Sequence, residues 1–374
     1  MRLVHIVPSL EARHGGPSNS VPSLAAACAE LGHEVELLTT APSAGSTHTT
    51  GHLTVSTYPR GRPERFCPSA GLHAALAQVS ADVLHHHSLW LRPLHYAHQA
   101  SRRLHAKLVI SPRGMMSPWA WDHHRRRKQF ASTFLHPGAL AAAHGWHATS
   151  AEEADDIRRL GFRQPVCVAP NGVRQPSADQ LLAARAAWLE QCPALRNRPV
   201  ALFYSRLHRK KRLRELLQVW LAAPRGDWFL LLVGLPEEYT VAEVQGWIAA
   251  AGATDRVAVF DGTDQPAPYA AASLFLLPSH SENFGLVIAE AMAAGVPALV
   301  TDTTPWTALN AEGRGWCVPW AQFNRALQTA LAEPATGLTE RGRRARAWVL
   351  QEFSWEKSAR DLLDFYQQLP GSPS

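Results

Sequence analysis

Two carboxylates and a glycine in the segment 278–297, PSHSENFGLVIAEAMAAGVP, form the pattern with the clearest chemistry. Glu282 and Glu290 stand eight positions apart, and Gly285 lies between them. The pattern predicts a loop after the apolar strand SLFLLP and then a helix. Free N–H groups at a helix start bind anions, while carboxylates accept hydrogen bonds from hydroxyls. A phosphate between two such carboxylates describes a nucleoside-diphosphate sugar, although spacing alone equally allows an acid near a helix start and a solvated helix charge.

A second candidate segment, ALFYSRLHRKKR, ends a predicted strand at Ser205 with a run of cations. Arg206 offers a planar fork of donors and Lys211 a mobile point charge, which together suit a diphosphate. A solvated basic loop is the alternative. Because this loop and the Glu282 loop follow parallel strands, we expect them at the same edge of one sheet.

The first half of the chain offers weaker signals. Gly15 and Gly16 follow the first strand and would let a ligand approach the backbone, although a surface turn is an equal alternative. No G-x-G-x-x-G is present, so a Rossmann dehydrogenase lacks its fingerprint. Arg113 follows the strand LVISP, where a cation can face an acceptor or donor phosphates.

Three consecutive histidines close the predicted strand ADVLHHH. Strand alternation places His85 and His87 on one face and His86 on the other. No further ligand is evident from spacing, so we predict no metal site. His87 can line a cleft. The alternative is a histidine buried in the core whose hydrogen bonds are all made within the protein.

The elements that position these residues alternate as strand, helix, strand, in both halves. This rhythm predicts an α/β protein with two doubly wound, Rossmann-like domains that face a cleft. We expect an acceptor domain over 1–175, a linker over 176–198 and a donor domain over 199–355. Residues 356–374 form a C-terminal helix, which can return to the first domain, and a tail.

Composition narrows the function classes. Lys and Arg number 37 against 31 Asp and Glu, which is too small an excess for a nucleic-acid binder. The five cysteines form no CxxC pair, which argues against a disulfide framework or a zinc ribbon. No apolar run is long enough for a transmembrane helix, and the N-terminal stretch is too short for a signal peptide. These features predict a cytoplasmic protein.

A basic run, HHRRRK at 123–128, lies next to Trp119 and Trp121. Basic residues beside exposed aromatic rings can dock on the inner, anionic membrane surface as a peripheral contact. The alternative is a helix whose basic face is solvated and whose two tryptophans are buried in the core.

These segments together resemble the retaining glycosyltransferases of family 4, which have the GT-B fold. The most specific part is Glu282 through Glu290, the E-x7-E pattern of the family ahead of AMAAGVP. Arg206 and Lys211 match its Arg-x4-Lys pair, Asn171 lies in its APNGV turn, and the GGP at 15–17 matches its glycine-rich loop. The chain departs from the family at Arg212, where a glycine is common, and at Arg113–Gly114, where many members have His-Gly.

The resemblance implies transfer of a sugar from a nucleoside-diphosphate sugar to a hydroxyl of a glycan or lipid-linked acceptor, in building a surface polysaccharide or glycoconjugate. Glu282 would hold sugar hydroxyls, Glu290 the ribose, and Arg206 and Lys211 the departing diphosphate. Neither a cofactor nor a metal is expected. The remaining donor-binding residues implied are Asn283, Phe284, Gly285, Leu286, Gly15 and Gly16, and the acceptor or cleft residues are His87, Arg113 and Asn171.

Acceptor choice is expected to depend on first-domain loops such as 43–52 and 61–69. Two other classes stay open. One is a GT-B sugar-nucleotide epimerase or phosphorylase, although neither the acid–base residues of the first nor the pyridoxal lysine of the second has a signature. The other is a non-catalytic protein that keeps the fold, which loss of Arg206, Lys211 or Glu282 would have supported.

Overall fold

A computed structural model describes most of the chain as two compact units. Unit 1 is Met1–Gly172 together with the segment that begins at Trp355, and unit 2 is Val173–Ser354. The described residues are 1–11, 16–43, 45–122, 125–223 and 226–370.

Within the described residues, unit 1 holds an eight-stranded sheet of order β3-β4-β2-β1-β5-β6-β7-β8. Neighbouring strands are parallel, except that β3 runs antiparallel to β4. The strands are β1 (Arg2–Ser9), β2 (Glu34–Ala41), β3 (Ser46–Thr50), β4 (Leu53–Pro59), β5 (Val83–His87), β6 (Lys107–Ser111), β7 (Gly145–Ala148) and β8 (Val166–Val168). The helices are α1 (Pro17–Glu30), α2 (Ala70–Gln78), α3 (Arg92–Leu104), α4 (Pro118–Asp122), α5 (Arg125–Phe130) and α6 (Ala151–Arg159).

Side chains of β1 alternate between two apolar layers. Leu3 and Val7 pack on one face of the sheet, and Val4 and Ile6 pack on the other. This alternation follows from the period of two in a strand, and burial of both faces is typical of parallel sheets. His5 therefore lies on the same face as Leu3.

Unit 2 holds, among its described residues, a six-stranded parallel sheet of order β11-β10-β9-β12-β13-β14. Its strands are β9 (Val200–Leu207), β10 (Phe229–Pro236), β11 (Val257–Asp261), β12 (Leu274–Leu277), β13 (Ala298–Thr301) and β14 (Trp316–Val318). Its helices are α7 (Ala178–Gln191), α8 (Leu213–Ala222), α9 (Val241–Ala250), α10 (Leu286–Ala293), α11 (Trp320–Ala332) and α12 (Ala335–Glu352). In each sheet the strand order reverses once, between β1 and β5 and between β9 and β12.

The segment 176–198, expected to be a linker, lies within unit 2. Its helix α7 is exposed or half-buried along its length, but Trp188 is fully buried and its indole N–H donates to the Pro266 carbonyl at 2.8 Å. The single tryptophan anchors the helix. The units of the structure change at 172/173 and at 354/355, within three residues of the expected 175 and 355. The difference lies in 176–198, because the sequence pattern does not reveal the one anchored side chain.

A final helix, α13 (Trp355–Gln368), belongs to unit 1 and packs against α1. Its buried face includes Leu362 and Tyr366. None of the helices in the described part of the chain is long and apolar enough to cross a membrane.

The region 43–52 is not simply a loop. Strand β3 occupies half of it and pairs with β4, with Thr50 opposite Leu53. All of its side chains are exposed and polar. An edge strand without an apolar face carries no alternation that a sequence pattern can detect, which explains the missed hairpin.

A close helix contact fixes α10, the helix that carries Glu290. A Cβ added at Gly342 of α12 would lie 2.0 Å from the carbonyl oxygen of Gly295, just beyond the end of α10. Glycine is required there because any side chain would push the two helices apart.

Gly342→Ala should therefore destabilise unit 2 by about 1–3 kcal/mol, the usual cost of overpacking. Gly246→Ala in α9 is the matched control, because nothing lies within 4 Å of a Cβ built there. That substitution should stabilise the protein by about 0.5–1 kcal/mol through helix propensity. Urea unfolding of both variants tests the contact, and equal stabilisation of the two would contradict it.

Candidate functional site

The candidate residues of unit 2 meet where its strand order reverses. Strands β9 and β12 are neighbours, and their carboxyl ends face the same edge of the sheet. After β9 comes a 3-10 turn, Arg209–Lys211, and after β12 comes the loop that leads to α10. The two segments are joined where the His280 N–H donates to the Lys210 carbonyl at 2.8 Å. Ligands of doubly wound sheets bind in this position.

Lys211 and Glu282 form a buried ion pair at this edge. Their side chains are only 7% and 10% exposed, and the Lys211 ammonium donates to Glu282 Oε1. The Ser279 hydroxyl donates to the same oxygen at 2.5 Å. Burial alone would raise the pKa of Glu282, but the charges of Lys211 and Lys210 outweigh it and hold that pKa below its ordinary value. The site therefore contains an ionised carboxylate.

Arg212 stands where the family resemblance places a glycine. It adopts a left-handed backbone with φ of 51°, a conformation that glycine adopts readily and that costs a larger residue energy. Its guanidinium lies 4.6 Å from the centre of the Trp320 ring, a cation–π contact that offsets part of this cost. The loop that presents Lys211 therefore accommodates an arginine at this position.

Arg206 lies at the same edge, but its side chain is more exposed than that of Lys211. Its side chain is 37% exposed and pairs with Glu237 at 2.8 Å. Glu237 follows β10, the neighbour of β9, and sequence spacing gave no signal for this pairing.

The start of α10 is built on Gly285 and Phe284. Gly285 has φ of 77°, and a Cβ there would lie 2.8 Å from the Ile288 side chain, so glycine is required. Phe284 is buried, and the Trp306 indole donates to its carbonyl. Asn283 and Leu286 are half-buried on either side. The free N–H groups of the helix start thus lie next to the Glu282 loop.

Glu290 is half-buried, and its carboxylate bonds to a neighbouring side chain. The Tyr269 hydroxyl donates to Glu290 Oε2 at 2.7 Å. Burial raises the pKa of Glu290, and the Tyr269 hydrogen bond partly opposes that rise. Tyr269 precedes β12 in a 3-10 turn, Pro268–Ala271, and its partnership with Glu290 could not be inferred from spacing.

The unit 2 edge thus combines an ammonium, the Glu282 carboxylate and a helix start. The ammonium and helix N–H groups suit a phosphate, and the carboxylate oxygens can accept from hydroxyls. Glu290 is the fifth residue of the same helix and bonds to Tyr269. The structure therefore brings Lys211 and Glu282 together, and the ligand roles of all three residues stay predictions.

Among the unit 1 candidates, Gly15 lies outside the described residues. Gly16 precedes α1 as its N-cap, and apart from its chain neighbours no atom of the described residues lies within 4 Å of a Cβ built there.

His87, Arg113 and Asn171 come together at the carboxyl edge of the unit 1 sheet. The Arg113 guanidinium donates to Asn171 Oδ1 at 2.8 Å and lies 3.0 Å from His87 Nδ1. His85 and His87 share one face, as alternation predicts, with ring centres 4.0 Å apart. His5 and His147 also belong to this buried group, and neither could be inferred from residue spacing, because they come from distant strands.

Two family descriptions match consecutive parts of the chain. The "Glycosyl transferase 4-like domain" matches residues 15–172, and "Glycosyl transferases group 1" matches residues 185–347. Their junction falls close to the boundary between the two units.

Individual relatives agree with these matches. The D-inositol 3-phosphate glycosyltransferase of Gordonia bronchialis is 38% identical over 27% of this chain, and the aligned stretch spans only 22% of that relative. The GDP-mannose:cellobiosyl-diphosphopolyprenol alpha-mannosyltransferase of Xanthomonas campestris is 28% identical over 79% of this chain and 76% of its own length.

Among solved structures, HepE of Anabaena in complex with UDP and glucose has a TM-score of 0.76 and 18% identity, and the match covers 99% of this chain and 100% of HepE. This likeness shows the fold. The chain belongs to the family 4-type glycosyltransferases and has their α/β GT-B fold.

Proposed function

We propose that the protein is a retaining glycosyltransferase that moves a sugar from a nucleoside-diphosphate sugar to a hydroxyl of a glycan or lipid-linked acceptor. Its role would be in the synthesis of a surface polysaccharide or glycoconjugate. The donor would bind at the β9–β12 edge of unit 2, and the acceptor in unit 1. The relative from Xanthomonas is named for a GDP-mannose donor and a diphosphopolyprenol acceptor, which supports both substrate classes.

The observation that carries the proposal is the buried Lys211–Glu282 pair beside the start of α10. Without donor, Glu282 neutralises Lys211. An ammonium has three N–H donors, so Lys211 can hold a phosphate oxygen as well as Glu282. Glu282 retains acceptor capacity for a hydroxyl of the transferred sugar. The charge that develops on the departing diphosphate is stabilised most in the transition state.

The reaction balances without a protein base. The bond between the sugar anomeric carbon and the diphosphate oxygen breaks, and the acceptor oxygen forms the new bond on the same face. The acceptor proton passes to an oxygen of the leaving diphosphate. Lys211, Arg206 and the helix N–H groups neutralise that diphosphate, so we propose that no metal is required.

A peripheral membrane contact is proposed for the surface that follows the basic run. Phe130 and Phe134 are 49% and 62% exposed, and their rings lie 4.9 Å apart. Arg92 donates to the carbonyls of Phe134 and Leu135 and holds this segment in place. Two apolar rings beside a basic run suit an anionic bilayer surface, where a lipid-linked acceptor would be found. Residues 123 and 124 of that run lie outside the described residues.

The first prediction concerns the nucleotide. One of UDP, GDP, ADP and CMP should raise the melting temperature without metal, because ligand at 100 times its Kd stabilises the native state by about 2.7 kcal/mol. In Lys211→Met/Glu282→Gln, which removes both buried charges together, binding should weaken about 10- to 100-fold. Thermal shift titrations with EDTA and with magnesium measure both effects.

Arg209→Ala is the control for that titration. Arg209 lies on the same turn as Lys211, but its side chain is 65% exposed and pairs with Glu238. Its substitution should leave the nucleotide shift intact. Equal shifts in the wild type and in the Lys211 variant would contradict the phosphate site, and a shift that needs magnesium would contradict the metal-free reaction.

The second prediction concerns the ribose. Tyr269→Phe removes the hydrogen bond that positions the Glu290 carboxylate and opposes the rise of its pKa, so the group is less well oriented and less fully ionised when it accepts from ribose hydroxyls. The preferred nucleotide should bind about ten-fold less tightly, while its 2′-deoxy form loses much less. The ratio of the two dissociation constants, measured by calorimetry, should therefore approach one.

Tyr204→Phe is the matched control, because the Tyr204 ring packs edge-on against Tyr269 and no hydrogen bond joins its hydroxyl to Glu290. Tyr204→Phe should keep the wild-type ratio. An unchanged ratio in Tyr269→Phe would remove Glu290 from the ribose site.

The third prediction concerns the membrane. Phe130→Ser/Phe134→Ser should lower binding to phosphatidylglycerol-containing vesicles at least five-fold in co-sedimentation, since it removes two exposed rings that the bilayer would bury. Leu182→Ser, at a 66% exposed leucine of unit 2, is the control and should bind as the wild type does. Binding of all three proteins to the same extent would place the membrane contact elsewhere or nowhere.

A further inference from the structure

Four histidines and one arginine share the buried layer of unit 1 at the point where its strand order reverses. His5 comes from β1, His85 and His87 from β5, and His147 from β7, and all four are buried. Arg113 follows β6. The hydrogen bonds of this group determine which nitrogen atom of each ring carries a proton.

One chain of hydrogen bonds begins at a backbone carbonyl. His147 Nε2 lies 2.8 Å from the Ala169 carbonyl oxygen and must donate to it, so the neutral ring accepts at Nδ1. His85 Nε2, 3.3 Å away, then donates to His147. His85 Nδ1 accepts from the Tyr366 hydroxyl at 2.6 Å. Burial lowers the pKa of His85 and His147 well below the ordinary value, in keeping with neutral rings.

A second chain begins at Arg113. A guanidinium has donors only, so His87 Nδ1 must accept from it and His87 Nε2 carries the proton. That N–H donates to His5 Nδ1 at 3.0 Å. Burial lowers the pKa of His5 to about 3, so this ring is also neutral. His5 Nε2 ends the chain without a hydrogen-bond partner among the described residues.

These assignments argue against a metal at His5, His85 and His87, although their nitrogen atoms lie within 4.8 Å of one another. His87 would have to give up either its proton or its bond to Arg113 to become a ligand. The nearby guanidinium would also repel a divalent cation, since both are positive. The histidines instead form a neutral support for Arg113.

Arg113 keeps its positive charge, and its contacting partners are neutral. Among the described residues it donates to His87 Nδ1 and Asn171 Oδ1, which uses two of its five N–H donors. Its Nε–H is buried and has no partner in the described part of the chain. Burial lowers the pKa of Arg113 to about 10, and Glu153 opposes that shift, so the group stays charged at neutral pH.

The turn that carries Arg113 is also specialised. Arg113 has φ of 54° and Gly114 has φ of 81°. A left-handed arginine costs energy and is retained where the surroundings hold it. The Gly114 N–H donates to Glu153 Oε1 at 2.5 Å, which occupies that carboxylate with the backbone of the turn.

We propose that Arg113 is the receptor for an oxyanion of the acceptor substrate, a phosphate or a carboxylate, and that His87 and Asn171 are positioning residues that aim it. The inference rests on the proposed function in that it assigns the ligand to the acceptor. Neutral acceptors orient the guanidinium and leave its charge for the ligand. The carboxyl edge of a parallel sheet, at its switch point, is where that ligand would bind.

The test uses the full chain and separates the two units. Inorganic phosphate and acetate are titrated by calorimetry with the preferred nucleotide present at saturation, which fills the unit 2 site. Asn171→Asp is the decisive variant, because it is nearly isosteric and sets a carboxylate against Arg113. We expect its affinity for the preferred oxyanion to fall at least ten-fold while its melting temperature holds or rises.

Arg113→Gln should lose the oxyanion to the same extent, and Arg163→Gln, at an exposed arginine of the same unit, should not. Preference for phosphate over acetate, or the reverse, identifies the acceptor group. Wild-type oxyanion affinity in Asn171→Asp would overturn the proposal, as would one stoichiometric zinc ion that His5→Ala releases. Nucleotide binding is read separately, so a protein that binds the oxyanion through Arg113 but no nucleotide would refute the donor site instead.

Discussion

The buried ion pair of Lys211 and Glu282 is the constraint on which the rest of unit 2 depends. A buried pair is tolerated only if its remaining hydrogen-bonding groups are satisfied, and removing one partner typically costs about 3–5 kcal/mol. The fold meets this demand by placing β9 and β12 side by side, so that two segments 71 residues apart meet at one edge. Ser279 supports the carboxylate, and the turn at Arg212 supports the ammonium. A ligand with an anionic group and a hydroxyl can then use both partners.

Unit 1 has the same type of sheet, but the buried polar side chains at its carboxyl edge interact in a different way. There the histidines are neutral, and their hydrogen bonds are donated in fixed directions, from Tyr366 toward the Ala169 carbonyl and from Arg113 toward His5. A carboxylate in the place of Asn171 would neutralise the guanidinium, whereas an amide orients it without cancelling its charge. The two sheets thus present an ammonium compensated by a carboxylate in unit 2 and a guanidinium held by neutral acceptors in unit 1. That contrast underlies the assignment of different ligands to the two units.

Much of this was predictable from local sequence. Alternation of strands and helices predicted the fold class, and the spacing of Glu282, Gly285 and Glu290 predicted a site at a strand end. Tertiary pairings were not predictable in the same way. Tyr269 and His5 contact their partners only because the strand order of each sheet brings distant segments together. Residue spacing in a single sequence does not show that order. The segment that contains α7 is expected to be a linker, but its one buried tryptophan attaches it to unit 2, and residue spacing does not reveal that contact. Strand β3 is not predicted because all of its side chains are exposed and polar.

The central claim is that the donor diphosphate binds at the β9–β12 edge of unit 2, and a crystal structure with the preferred nucleoside diphosphate tests it most directly. We expect phosphate oxygens within hydrogen-bond distance of Lys211 Nζ and of the N–H groups at the start of α10. We also expect ribose hydroxyls to donate to Glu290. A nucleotide bound in unit 1 would contradict this assignment of the donor site. A nucleotide whose phosphates lie away from Lys211, with the ion pair to Glu282 unchanged, would contradict it too.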